Sequence, residues 1–306
     1  MKWELKGTFT ALVTPFKKNG EVDQEGLRQL VKFQLKAGVD GLVPCGTTGE
    51  APTLSLEEKS LVIKTVIDAS NGKIPVIAGA GTNNTADTIK LTKSFADIGV
   101  DALLVVVPYY NKPTQEGMFQ HFKAVAESTD LPIVLYNVPA RSASNLDIST
   151  VKRLSQVQGI FGLKESSGNF GQMMKLIQIV GDKISILSGD DSITLPIISV
   201  GGRGVISVAS NLAPKEMSKL VDAALAGRFE EARQIHYRLL PLFDVLFVET
   251  NPAPVKKAMS MMGLPAGSVR LPLVPVSEES THKIEKVLDQ LRLECSFNLR
   301  ETNSSM

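Results

Sequence analysis

Short β-rich runs alternating with amphipathic helical patterns predict an α/β protein, a (β/α)8 TIM barrel with a C-terminal three-helix appendage. Three observations carry that reading. Strand-like runs recur at a spacing of roughly 20–35 residues, which suits successive βα units. Several runs, residues 102–107 among them, are apolar along their whole length, as in a parallel sheet covered on both faces. After about residue 225 the strand pattern stops and helical patterns alone continue. The expected division is a catalytic barrel over residues 1–225 and a helical region over residues 226–306. No glycine-rich dinucleotide fingerprint follows the first strand, which removes the main reason to prefer an open, doubly wound sheet. Periodicity by itself leaves the closure of the sheet undecided.

Strands are predicted at residues 9–13, 41–44, 75–78, 102–107, 133–137, 160–164, 184–188 and 204–207. Between them lie helices with recognisable starts. Asp23 precedes a helix that carries Leu27, Leu30, Val31 and Leu35 on one face. Ser55-Leu56-Glu57-Glu58 reads as a capping box before a helix ending near Ala69. Thr85, Thr114 and Asp147 precede further helices. In the C-terminal region, residues 228–240, 254–262 and 277–293 read as three helices separated by Pro- and Gly-containing connections. Residues 294–306 end in Thr-Asn-Ser-Ser-Met and are expected to fray.

Composition narrows the function classes. Lys plus Arg total 33 against 32 for Asp plus Glu, so no net field draws the chain to nucleic acid or anionic lipid. The 43% hydrophobic content supports a sizeable core, and the longest apolar stretch, near residues 102–108, is far too short to span a bilayer. The first six residues carry neither the apolar run of a signal peptide nor the look of a transit peptide, so a cytoplasmic location is expected. Cys45 and Cys295 have no metal-ligand or redox spacing, and a disulfide between them is not expected. No His/Asp/Glu cluster has metal-ligand spacing, which disfavours a metal-dependent aldolase. His121, His236 and His282 fall on predicted helices away from strand ends and read as packing or surface residues.

In a barrel of this kind catalytic groups lie at the C-terminal ends of strands. Lys164 closes the sixth strand after Ile160-Phe161-Gly162-Leu163. Desolvation there disfavours the charged form of an amine and favours a nucleophile able to condense with a ketone. The plainer alternative is a surface lysine paired with Glu165. Tyr136, near the end of the fifth strand, lies 28 residues earlier, one βαβ unit away. Neighbouring strands run about 5 Å apart, so its phenol can serve as a proton relay beside the lysine. Gly46-Thr47-Thr48-Gly49-Glu50 follows the second strand, where two glycines let backbone amides approach a ligand and two hydroxyls can meet a carboxylate. Pro108-Tyr109-Tyr110-Asn111 after the fourth strand suggests a pocket rim or a subunit contact. Arg141 suits a bidentate carboxylate clamp. Gly201-Gly202-Arg203-Gly204 before the eighth strand could mimic a phosphate nest, although a tight turn explains it as well.

Taken together these residues resemble the dihydrodipicolinate synthase family, within the N-acetylneuraminate lyase superfamily of class I aldolases. The stretches that carry the resemblance are Gly46-Thr47-Thr48-Gly49-Glu50, Pro108-Tyr109-Tyr110-Asn111, Tyr136-Asn137-Val138-Pro139, Gly162-Leu163-Lys164-Glu165, Ser188-Gly189-Asp190-Asp191 and Phe247-Val248-Glu249-Thr250-Asn251-Pro252. It runs from about Gly7 to Leu293. The resemblance implies that Lys164 forms an imine with pyruvate, whose enamine attacks L-aspartate 4-semialdehyde to give 4-hydroxy-tetrahydrodipicolinate in lysine and diaminopimelate biosynthesis. It matches Thr47, Tyr136 and Tyr110 to a proton-relay triad, with Tyr110 reaching a neighbouring subunit's site in a homotetramer built as a dimer of dimers. Thr48 and the backbone near Ile206 would hold the pyruvate carboxylate, Arg141 the carboxylate of the semialdehyde, and Gly189 would line the pocket. No cofactor or metal is implied. The sialic-acid lyases of the superfamily usually lack an arginine at the place of Arg141, so a short carboxylate-bearing aldehyde is favoured over a long sugar. The family commonly shows Arg-Thr-Gly where this chain has Arg141-Ser142-Ala143, which adds a Cβ to that loop. Lysine-inhibited members carry histidine where Leu56 and Lys59 stand here, while Asn83, Asp87 and Tyr109 match other positions of their effector site. Weak or absent inhibition by lysine is therefore expected. The readings that compete are a lyase for a 2-keto-3-deoxy sugar acid, a barrel kept for binding without catalysis, and a phosphate-binding isomerase.

Overall fold

The computed structural model describes residues 3–293; residues 294–306, with Cys295 and the expected frayed end, lie outside them. The elements follow one another as β1 (Gly7–Ala11), α1 (Gln24–Ala37), β2 (Gly41–Val43), α2 (Leu56–Ser70), β3 (Ile77–Gly79), α3 (Thr85–Ile98), β4 (Ala102–Val106), α4 (Gln115–Ala126) and β5 (Ile133–Asn137). Next come the single turn α5 (Pro139–Ser142), α6 (Ile148–Leu154), β6 (Ile160–Glu165), α7 (Phe170–Val180), β7 (Ser185–Ser188), α8 (Thr194–Ser199), β8 (Gly204–Ser207) and α9 (Pro214–Leu225). All eight strands are parallel, in the order β2-β1-β8-β7-β6-β5-β4-β3. The seam between β2 and β3 is closed by a parallel bridge between Leu42 and Val76, with Leu42 N–H donating to Pro75 at 3.0 Å and Gly79 N–H to Pro44 at 3.0 Å. The barrel reading is therefore correct, and closure comes through the two shortest strands.

Strand alternation splits each strand between two cores. Phe9, Val43, Leu104, Val134, Leu187 and Ile206 pack inside the barrel. Leu42, Leu103, Leu135, Leu163, Ile186 and Val205 face the surrounding helices. Below the strands the N-terminal segment plugs the barrel floor: Leu5 is fully buried, and the Trp3 ring meets Phe161 edge-on at 5.3 Å. Gly162 makes that plug possible, because a Cβ there would overlap Leu5 Cδ2.

Local signals placed most helices well. Asp23 caps α1 through a bond from Gly26 N–H at 3.0 Å, and Thr114 caps α4 through Gly117 N–H at 3.2 Å. The capping box of α2 forms on both sides. In α3 the cap is Asn84 rather than Thr85, whose hydroxyl instead meets His121 Nδ1 at 2.9 Å. Strand β1 starts two residues before its predicted place, because Thr8 and Thr10 are satisfied in the outer core. Thr10 donates to Gln34 Oε1 at 2.7 Å and Thr8 to the Met217 carbonyl at 3.4 Å.

The C-terminal helices are α10 (Phe229–Val245), α11 (Ala253–Met261) and α12 (Glu278–Leu291), with α12 packed on both others. Helix α10 runs straight past Pro241, where the sequence suggested an end at residue 240. Pro241 and Tyr237, the residue whose carbonyl loses its i+4 donor, both lie on the exposed face. Water can therefore satisfy that carbonyl, while Leu239, Leu242 and Phe243 anchor the helix on its buried side. No helix among the described residues is long and apolar enough to cross a membrane.

Candidate active site

Lys164 and Tyr136 are direct register partners on β6 and β5, at the C-terminal ends where the barrel opens. Residues of one parity on β6 point inward, so Lys164 follows Gly162 into the barrel while Glu165 points out to the helix layer. Lys164 is buried, makes no ion pair among the described residues, and holds its Nζ 4.3 Å from the centre of the Tyr136 ring. Glu165 is occupied elsewhere: it accepts from Asn137 Nδ2 at 3.0 Å and Ser167 N–H at 2.7 Å. Burial raises the pKa of the Glu165 carboxyl, and those hydrogen bonds oppose the shift. The alternative of a surface lysine paired with Glu165 is thereby removed.

Gly189, after β7, packs against the lysine stem. A Cβ at Gly189 would overlap Ser166 Oγ and come within 2.8 Å of Lys164 Cε and 3.0 Å of its Cγ. An alanine here must push Ser166 Oγ and the lysine stem aside, and on the reading that Lys164 reacts, a displacement of about 1 Å costs on the order of 10²-fold in rate. The expected result for Gly189→Ala is a loss of kcat/KM of that order with a nearly unchanged melting temperature. Activity within about twofold of wild type would show that the stem can shift at no cost.

Two cavities meet at this mouth. The first, ≈390 Å³, is lined by Thr47, Tyr136, Arg141 and Asn251 and extends outward to Lys59 and Tyr109. The second, ≈560 Å³, is lined by Ser166, Gly189, Asp190 and Phe247 and shares Tyr136, Arg141 and Asn251 with the first. Thr48 is buried just behind, where its Oγ1 accepts from Asn251 Nδ2 at 3.0 Å. Arg141 is exposed on α5, and its Nη2 reaches the Asn251 carbonyl at 3.5 Å. Ala143, at the place where the family commonly has glycine, takes φ 55°, the left-handed conformation a glycine would adopt more cheaply. Ser142 Oγ pins the turn by donating to Val138 and Ser144 carbonyls at 3.0 and 2.9 Å. Ile206 is fully buried on β8. The loop after it is held by Asp191, whose Oδ2 accepts from Val208 and Ala209 N–H at 3.0 and 2.9 Å; burial pushes that carboxyl up to about 6.

Other candidate residues lie apart. Tyr110 is 88% exposed at φ 72° and lines neither cavity. Leu56 and Asp87 are exposed on the surface, and the Asn83 carbonyl accepts from Asn111 Nδ2 at 2.8 Å. The Gly201–Gly204 turn precedes β8, at the opposite end of the barrel from the mouth. Cys45 is buried, and desolvation pushes its thiol up to about 12, so it is no nucleophile at neutral pH. His121 and His236 are buried on helices, with burial pulling His121 down to about 4. No group of three or more His, Cys, Asp or Glu among the described residues could hold a metal ion.

Two features had no role in the sequence reading. Asn251 sits in one of the quoted stretches without an assigned function. Glu50 and Lys256 form an ion pair at 2.7 Å with both side chains out of water. A signal for the latter existed: Lys256 stands among buried positions of α11, between Val255 and Ala258.

The closed ring of eight parallel strands with helices between them makes this protein a (β/α)8 barrel, with a buried lysine at its mouth. Within that class the chain belongs to the dihydrodipicolinate synthetase family, whose sequence profile matches residues 4–291. It is 51% identical over 288 residues to a 4-hydroxy-tetrahydrodipicolinate synthase of Syntrophus aciditrophicus, covering 94% of this chain and 99% of that protein. It is 53% identical over 289 residues to the enzyme of the same name from Methanocaldococcus jannaschii, with the same coverage. The crystal structure of dihydrodipicolinate synthase from Thermotoga maritima superposes with a TM-score of 0.93 at 43% identity, covering 95% of this chain and all of that one.

Proposed function

We propose that Lys164 is the group through which this lyase joins pyruvate to L-aspartate 4-semialdehyde, giving 4-hydroxy-tetrahydrodipicolinate for lysine and diaminopimelate biosynthesis. The observation that carries the residue assignment is the buried Lys164 beside Tyr136 at the ends of adjacent strands. The amine adds to C2 of pyruvate and water leaves, forming the imine. Loss of a methyl proton gives an enamine, whose C3 attacks the aldehyde carbon while the aldehyde oxygen takes a proton. The amine of the semialdehyde then adds to C2 and expels Lys164, closing the ring.

Tyr136 serves as general acid and base at the imine, in a relay with Thr47 and Tyr110. Tyr110 is turned outward and exposed, which suits a phenol delivered to a neighbouring protomer's site in a homotetramer, a dimer of dimers. Thr48 and the backbone near Ile206 take the pyruvate carboxylate, Arg141 takes the carboxylate of the semialdehyde, and Gly189 leaves room for the lysine stem. The test is steady-state turnover of the two substrates coupled to a reductase acting on the product. Pyruvate trapped on the protein by borohydride without turnover of the semialdehyde would keep the imine chemistry and reject the second substrate.

Inhibition by L-lysine is expected to be weak. The first cavity extends to Lys59 and Tyr109. An ammonium at Lys59 opposes a second ammonium by about 1–4 kcal/mol at contact distance. Turnover measured across a lysine series should stay near its uninhibited value into the millimolar range. Half-inhibition at sub-millimolar lysine would overturn the expectation.

A further inference from the structure

We infer that Asn137 and Glu165 are positioning residues: the hydrogen bond between them, behind the barrel wall, sets the relative aim of Tyr136 and Lys164. The assignment rests on the reading that Lys164 forms the imine and Tyr136 moves its protons.

Asn137 and Glu165 are the register pair that follows Tyr136 and Lys164, one step further along β5 and β6. Alternation sends their side chains the other way, out of the barrel and into the helix layer. Both are fully buried, and neither lines a cavity at the mouth. Their effect on the reaction must therefore pass through their neighbours.

The polar atoms of the pair converge on one hub. Asn137 Nδ2 donates to Glu165 Oε2 and to Asn145 Oδ1, each at 3.0 Å, while Asn137 Oδ1 accepts from Leu146 N–H at 3.0 Å. The other oxygen of Glu165 accepts from Ser167 N–H at 2.7 Å. Asn145 is clamped in turn by Gln172 of α7, with which it exchanges two hydrogen bonds at 2.9 and 3.2 Å. One side chain, Asn137, thus joins three pieces of the site. These are the strand carrying Tyr136, the strand carrying Lys164 and the segment returning from the turn that carries Arg141.

Holding the strands together does not require this hub. The backbone ladder already fixes their register, and it extends past the pair through Ser166 N–H, which donates to the Asn137 carbonyl at 2.8 Å. The preceding outward pair, Leu135 and Leu163, is apolar and packs in the outer core. A polar pair in the same layer carries a desolvation cost that an apolar pair avoids. What it adds is direction. Apolar contacts tolerate sliding and rolling, whereas a satisfied hydrogen-bond network holds one geometry. The clamp sits one residue beyond Tyr136 and Lys164, where a twist of either strand end would swing Lys164 Nζ from its place 4.3 Å from the Tyr136 ring centre.

The experiment compares Glu165→Gln, Asn137→Asp and the double variant with wild type. It reads kcat, the KM of each substrate and the rate at which borohydride traps pyruvate on the protein, all per folded molecule and well below each melting midpoint. Glu165→Gln sets an amide N–H against a donor and Asn137→Asp sets a lone pair against a carboxylate, so each breaks the clamp. A shift of about 1 Å between reacting groups costs on the order of 10²-fold, so kcat and trapping should slow by about that factor, with the pyruvate KM within about threefold of wild type. Asn137→Asp should also raise the KM for L-aspartate 4-semialdehyde, because it loosens the return from the Arg141 turn. The double variant faces a donor on β6 with an acceptor on β5, once the Asn145 and Gln172 amides turn over to match, and should recover at least about tenfold over the single variants. It moves the carboxylate from one strand to the other, so recovery assigns the effect to geometry rather than to charge. Melting midpoints that fall while kcat and trapping stay within about twofold of wild type would leave the clamp a support of the fold alone and overturn the proposal. A double variant no faster than the single ones would overturn it as well. If the single variants do not fold, Asn145→Ala, at the half-buried end of the hub, carries the test. It removes one partner of Asn137 and should slow trapping several-fold at an unchanged pyruvate KM, and an unchanged rate would count against the proposal in the same way. Wild-type enzyme that traps no pyruvate would instead sink the reading of Lys164, so the two failures are separate.

Discussion

Lys164→Arg should lower kcat by at least about three orders of magnitude while leaving the protein folded. The variant is chosen because it keeps almost everything except the reaction. Arginine retains a positive charge, a long apolar stem and the ability to lie over the Tyr136 ring, where Lys164 Nζ now sits 4.3 Å from the ring centre. It cannot form an imine with a ketone. If Lys164 acted only as a fixed charge that draws in the substrate carboxylates, the variant would keep most of its turnover. Two measurements decide the matter: coupled turnover, and the mass of protein treated with pyruvate and borohydride. Wild type should gain the reduced pyruvate adduct and Lys164→Arg should gain none. Turnover close to wild type would remove Lys164 from the role of nucleophile.

The place of Lys164 at a strand end could be read from sequence because the rule that locates it is local. A strand-length run that closes on the charged pair Lys164-Glu165 is legible, and the barrel rule says where such an end must lie. The helix caps at Asp23, Ser55 and Thr114 were legible for the same reason, since each is decided within four residues of chain. What stayed hidden depends on partners far along the chain. Asn251 meets Thr48 across 203 positions, and Lys256 meets Glu50 across 206. No periodicity connects such pairs. Closure of the barrel lay beyond reach too, because it rests on three-residue strands and a single bridge. Helix α10 shows the opposite error: Pro241 is a strong local stop signal, and burial of Leu239, Leu242 and Phe243 outweighs it.

Glu50→Gln should destabilise the protein by about 3–5 kcal/mol, because it strands a buried ammonium without its counter-charge. Lys256 Nζ lies 2.7 Å from Glu50 Oε1 and also donates to the Thr14 and Ser268 carbonyls at 3.0 and 2.8 Å. Desolvation lowers the pKa of this ammonium and the Glu50 carboxylate opposes the shift, so removing the carboxylate leaves desolvation unanswered. Glu50 in turn accepts from Arg270 N–H at 2.9 Å, and Phe16 is flanked by Lys256 Nζ and Arg270 Cζ at 4.3 and 4.2 Å. The neighbouring pair of Arg270 with Glu58 is partly exposed, and a pair nearer the surface contributes about 0–1 kcal/mol, so Glu58→Gln should cost far less. Combining Glu50→Gln with Lys256→Met should cost less than the sum of the two, since no lone charge remains. It should still fall short of wild type, because the Thr14 and Ser268 carbonyls lose their donor at about 1–3 kcal/mol. The consequence reaches the active site, for Glu50 ends the loop that carries Thr47 and Thr48, and Lys256 ties it to the helix that follows Asn251. Chemical denaturation and thermal melts of the four proteins measure the cycle, and kcat taken well below the melting midpoint measures the loop. A Glu50→Gln midpoint equal to wild type would mean that the pair contributes no net stability and that the loop is held by its backbone alone.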